Sequence, residues 1–192
     1  MKYIVFAGAV INIFFTFSYI KEVAKGSVKP NRITWLMWSV APFIATAAAI
    51  TNGVGLSVFP VFMSGFTPLL VFIVSFFNKN SYLKLERLDY CCGIVSFLAL
   101  VVWQITKSPD YAIIFAIISD GLAAIPTVLK AWRYPHTENV IAFWGGLFLA
   151  MTSFFAITTW NFSSLAFPIY LVVLNTIIIF AIKRNNIYFK RT

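Results

Sequence analysis

The residue with the most chemistry to offer is Asp120, because it sits where an acid is least comfortable. It falls in SDGLAAIPTVLKAW (Ser119–Trp132), inside an apolar stretch that also holds Pro126. The other acids, Glu22, Glu86, Asp89, Asp110 and Glu138, lie in loops or at the ends of apolar stretches. An ionised carboxylate at mid-bilayer costs about 3 kcal/mol on insertion scales. Asp120 therefore needs a partner: a group on another helix, a bound cation or a proton. Positions 116, 120, 124 and 127 share one side of a helix and read Ala, Asp, Ala, Thr. Gly8, Asn12, Thr16 and Tyr19 repeat that spacing near the N-terminus, with Asn12 in the place of the acid. Small and polar stripes of this kind face protein or water rather than lipid. The bland reading is an acid that locks two helices together; the functional one is a substrate or proton site.

A second constellation pairs Trp160 with Asn175, and Asn52 with Thr67 at the same spacing. Asn175 stands in VVLNTIIIF, where an unpaired amide is costly, so it must face the bundle. Trp160 also suits an interfacial aromatic belt, as does Trp35. Pro126 and Pro42 interrupt apolar stretches and can act as kinks or hinges where neighbours satisfy the freed backbone. Pro60, Pro68 and Pro168 raise the same option.

Other chemistries find little material. His136 is the sole histidine, and Cys91 and Cys92 are adjacent with no further ligand nearby, so no metal site is expected. No nucleophile–base pair lies within the apolar stretches; neither an enzyme nor a cofactor is expected.

The elements that must position these residues follow from composition. The 192-residue chain is 60% hydrophobic and 11% charged, against about 25% charged in soluble domains. Apolar stretches near 3–20, 33–51, 56–77, 88–105, 111–131, 139–159 and 164–182 are each long enough to cross a bilayer. The expectation is an all-α integral membrane protein with seven transmembrane helices. Every one of the 15 basic residues except Lys2 and Lys107 falls on one side of that arrangement. The positive-inside rule then places the N-terminus outside and the C-terminus in the cytoplasm of a multi-pass cell-membrane protein. The net charge of +9 reports topology and not a nucleic-acid partner. The bilayer and a small-molecule substrate are the expected partners; a homo-oligomer is left open.

Displacing the chain by 108 positions lays Tyr3 on Tyr111, Asn31 on Asn139, Ile33 on Ile141, Thr51 on Thr159, and Phe59-Pro60 on Phe167-Pro168. The uncharged turns and basic loops also coincide. This reading divides the chain into a first three-helix repeat (1–80), a linker helix (81–107), and a second repeat with a cytoplasmic tail (108–192). An odd linker makes the two triplets of this 3+1+3 arrangement parallel, as in transporters that hold substrate between their halves.

The stretch IPTVLKAWRYPHTEN (125–139) resembles the second motif of the SWEET and PQ-loop superfamily of seven-span transporters. Pro126-Thr127 stands at the family's Pro-Gln and Thr137-Glu138 at its Ser/Thr-Glu. FSYIKEVAKGSVKPN (17–31) is similar but carries Ser18-Tyr19 at the Pro-Gln position. The resemblance implies alternating access around a central site, to which Trp160, Asn175 and their repeat mates Asn52 and Thr67 contribute. Asn52 and Thr67 depart from the family's pattern, and of its four prolines only Pro42 and Pro126 are present. Some PQ-loop carriers of amino acids use an acid near the second motif for proton coupling, and Asp120 resembles it.

The leading expectation is a transporter of a small polar metabolite, a sugar or an amino-acid-like or cationic solute, with proton coupling through Asp120 as one use of the acid. Asp120, Asn12, Asn175, Thr67, Trp160 and Asn52 would bind substrate; Pro126, Pro42 and Tyr19 would serve the gate. The alternatives are a non-transporting receptor or assembly factor on the same fold, or facilitated vitamin uptake with Trp35, Trp38, Trp144 and Trp160 stacking on a ring.

Overall fold

The computed structural model describes residues 3–51, 59–81, 84–105, 109–157, 160 and 162–188. Among them the chain is all-helical, with seven α-helices. These are α1 (Tyr3–Lys25), α2 (Arg32–Thr51), α3 (Phe59–Val74), α4 (Arg87–Ile105), α5 (Pro109–Arg133), α6 (Ile141–Ser153) and α7 (Phe162–Tyr188). Each coincides with one expected apolar stretch, but the ends differ for physical reasons. Helix α1 runs on to Lys25 because Lys and Glu propagate a helix well, although hydropathy falls away after Ile20. It stops at Gly26, whose φ of 84° lies in the left-handed region that glycine enters freely. Helix α6 ends at Ser153 and tightens into a 3-10 turn over Phe154–Ala156.

The principal contacts have a regular pattern. Helix α3 packs against both α1 and α2, and α7 packs against both α5 and α6. Across the middle, α1 meets α6 and α2 meets α5. Exchanging α1 for α5, α2 for α6 and α3 for α7 maps every one of these contacts onto another. Helix α4 packs on α5 and α2. Its Ser96 and Ser119 of α5 bond reciprocally, each hydroxyl donating to the other's backbone carbonyl at 2.7 and 2.9 Å.

The buried core draws Tyr19, Val23, Trp35, Val71, Ala124, Phe143, Leu174 and Ile178 from six helices. In a bilayer such a core gains little from burial alone, and close approach of small residues carries more of the packing. Helices α1 and α6 meet this way: a Cβ added at Gly145 would lie 2.9 Å from the Cβ of Phe15.

Three helices contain stretches long and apolar enough to cross a membrane, Phe6–Lys25, Ile113–Arg133 and Leu165–Arg184. The exterior is correspondingly apolar, with Phe14, Ile94, Phe97, Ile177 and Phe180 exposed. Three interhelix connections meet at one end of the bundle. Asn78 Nδ2 donates to the Ala24 carbonyl, Asn31 Nδ2 to Asp89 Oδ1, and the Lys29 N–H to the Thr137 carbonyl, each at 2.9 Å. Asn31 and Asn139 each turn a side-chain oxygen onto a following helix, Asn31 Oδ1 to the Thr34 N–H and Asn139 Oδ1 to that of Ile141. These bonds satisfy amides that a helix start leaves open.

Candidate functional site

Helices α1, α2, α3, α5, α6 and α7 converge on a cavity of about 170 Å³. Asn12 and Thr16 reach it from α1, Trp35, Trp38 and Pro42 from α2, and Ser64, Thr67 and Pro68 from α3. The other side supplies Asp120 from α5, Phe143, Gly146 and Leu149 from α6, and Phe167, Leu171 and Asn175 from α7. Among these lining residues Asp120 is the only acid, and none is basic.

Four pairs of residues 108 positions apart share this wall: Asn12 with Asp120, Trp35 with Phe143, Trp38 with Gly146, and Thr67 with Asn175. The register found by displacing the sequence thus recurs at the cavity, although the paired residues differ in type.

Asp120 is held from α7. The Tyr170 hydroxyl donates to its Oδ2 at 2.6 Å, a short contact of the charge-assisted kind. The Trp38 indole on α2 is also close to the carboxylate but makes no hydrogen bond of normal length. Trp35 is 4% exposed, and its N–H is likewise unbonded. The two indoles meet edge-on at 5.4 Å, and both approach the Phe143 ring, at 6.3 and 6.5 Å. Together they make an aromatic wall near the acid.

Two of the other polar side chains bond within their own helices. Asn175 Nδ2 donates to the Leu171 carbonyl at 2.8 Å. The Thr67 hydroxyl lies 3.1 Å from the Met63 carbonyl and 3.4 Å from Asn12 Oδ1. Gly146 lets Asn175 approach, since a Cβ there would sit 2.6 Å from Asn175 Oδ1.

At the end of the bundle where the loops gather, the chain buries a charged network. Tyr19, fully buried, packs against Trp35 with ring centroids 5.2 Å apart and the planes tilted, and donates through its hydroxyl to Glu138 Oε2 at 2.7 Å. The Lys130 ammonium bonds Glu138 Oε1 and also the Lys29 carbonyl. The ion pair is sealed from solvent, at 3% exposure for the Lys130 side chain and 0% for that of Glu138. One connected set therefore joins α1, the α1–α2 connection, α5 and the α5–α6 connection beneath the aromatic wall.

The structure brings together Asp120, Asn12, Asn175, Thr67 and Pro42 at one cavity. It places others elsewhere. Trp160 is 71% exposed and does not line the cavity. Asn52 lies outside the described residues. Pro126 is buried and borders a separate pocket of about 210 Å³ with Lys130 and Asp89. Tyr19 belongs to the charged network. Trp35, which suits an interfacial belt by sequence, is buried in the wall, because α2 turns this face toward α1 and α6. Tyr170 and the Lys130–Glu138 pair escaped the sequence reading. Tyr170 lies two residues beyond the matched Phe167-Pro168, and the register offered no polar mate for it: its counterpart is Phe62.

Among the described residues no group of three His, Cys, Asp or Glu is arranged to hold a metal. Compared with protein-family models, curated proteins and solved structures, the chain matches none of them.

Proposed function

We propose that this chain is a multi-pass membrane transporter that moves a small polar solute by alternating access between two parallel three-helix repeats. The observation that carries this reading is the cavity wall: four pairs of residues 108 positions apart line one space between the triplets. The exchange symmetry of the helix contacts supports the same division. Parallel repeats with a midplane site between them are an architecture of secondary transporters, and the resemblance of residues 125–139 to the SWEET and PQ-loop superfamily points the same way.

In this reading the N-terminus is outside and the basic end of the bundle is cytoplasmic. Asp120 is the acid that a cationic solute or a coupled proton neutralises. The Tyr19–Glu138–Lys130 network is the closed cytoplasmic gate, since it ties both triplets together below the cavity. Breaking it exposes two charges to water as the gate opens, which lowers the cost of parting them. Pro126, one helical turn before Lys130, leaves α5 a backbone break at the level where it must move.

The test is solute uptake into proteoliposomes, with and without a pH gradient, for the native chain and Asp120→Asn. Uptake that depends on Asp120 is the expected result. Silence across sugars, amino acids and amines, from folded protein in sealed vesicles, would overturn the reading in favour of a non-transporting receptor.

A further inference from the structure

We infer that the solute bound in the central cavity is a compact organic cation, an ammonium compound held between the Asp120 carboxylate and the aromatic wall of Trp35, Trp38 and Phe143. The inference rests on the reading of that cavity as the solute site, and it narrows the solute by size, by charge and by hydrogen-bonding capacity.

Size comes first. An apolar cavity of about 150 Å³ accommodates benzene. The present one, at about 170 Å³, therefore suits a solute of roughly six to eight non-hydrogen atoms.

Hydrogen-bonding capacity points the same way. A neutral polyol needs a partner for each hydroxyl once it leaves water. Here the amide of Asn175 is bonded to the Leu171 carbonyl and the hydroxyl of Thr67 to that of Met63. Tyr170 is engaged by Asp120. These bonds occupy part of the polar lining and reduce what it offers to a ring of hydroxyls. An anion meets Asp120 with no basic residue among the lining to offset it.

A cation finds every requirement met. Asp120 supplies the opposite charge, and the faces of tryptophan and phenylalanine attract ammonium groups through their ring quadrupoles. The buried N–H of Trp38, which is close to the Asp120 carboxylate but makes no hydrogen bond of normal length, can donate to a hydroxyl or carbonyl oxygen on the same solute. A short ammonium compound with one oxygen substituent satisfies the acid, the rings and this indole together.

Binding to the full chain in nanodiscs tests this without requiring transport. The probes are choline, its neutral isostere 3,3-dimethyl-1-butanol, and glucose, read by shifts in melting temperature and by titration. The expected result is that choline binds more than about tenfold tighter than the isostere, that glucose does not bind, and that Asp120→Asn removes choline's advantage. Equal binding of the isostere, tighter binding of glucose, or no binding by any of the three overturns the inference. Should Asp120→Asn fail to fold, the contrast between choline and its isostere on the native chain still decides. Choline binding without vesicle uptake would leave this inference standing and remove the transport reading. Glucose uptake without choline binding would do the reverse.

Discussion

Trp38 and Gly146 stand 108 positions apart and both line the cavity, yet one is the largest side chain in the alphabet and the other has none. The same contrast runs through the cavity. Where the first triplet presents Asn12, the second presents Asp120; where the first closes with Trp35, the second has Phe143. It continues at the basic end. The counterpart of buried Lys130 is Glu22, which pairs with Lys25 at the surface, and the counterpart of buried Glu138 is Pro30. Helices α1–α3 therefore bring only neutral groups to the cavity, and α5 brings its acid. On the proposed transport reading, one solute would meet two different surfaces.

The contrast can be broken most severely at the ion pair. Lys130→Met leaves Glu138 buried and unpaired, and a loss of about 3–5 kcal/mol is expected, read as a fall in melting temperature. Lys130→Met with Glu138→Gln should recover most of it, while Glu22→Gln at the equivalent surface position should leave the melting temperature where it was. A mild effect of the single Lys130 variant would mean that the two ends are not energetically different after all. Next comes Asp120→Asn, which makes the two triplets alike at their polar stripes. Solute uptake should fall by about a hundredfold, near 2.8 kcal/mol at 1.4 kcal/mol per tenfold; unchanged uptake would place the acid in a structural role. Gly146→Ala tests the position opposite Trp38. Its Cβ would press on Asn175 Oδ1, 2.6 Å away, and overpacking of this size costs about 1–2 kcal/mol. Adding Asn175→Ser should relieve part of that loss, and failure to do so would show that the strain lies elsewhere. The smallest effect is expected from Trp160→Ala, within about 0.5 kcal/mol and without change in solute binding. A large loss there would return Trp160 to the site.

The helices were legible because apolar length and charge placement report them directly, and Asp120, Asn12, Thr67 and Asn175 were legible because a polar group in an apolar stretch has few places to point. The limits are equally physical. A tryptophan is amphipathic, so sequence alone does not decide between a membrane interface, which Trp160 resembles by its exposure, and a cavity wall, where Trp35 lies. Tyr170 was invisible because a tyrosine among Leu, Val and Ile reads as packing until its hydroxyl is seen on Asp120. Lys130 and Glu138 read as loop charges that set topology. Only the fold, which closes the two connections over them, turns them into a buried pair.

The backbone bond between Lys29 and Thr137 joins two counterpart positions, since they too are 108 apart. Two identical three-helix units meeting on an axis would have to make every such contact twice, each residue doing to its mate what its mate does to it. This chain makes it once. The Thr137 N–H turns to the Tyr134 carbonyl instead, and the Lys29 carbonyl is given to the ammonium of Lys130. In a symmetric pair, the same lysine and glutamate would appear twice at the axis, with like charges crowded together away from water. This chain buries one lysine and one glutamate there, and so avoids that crowding.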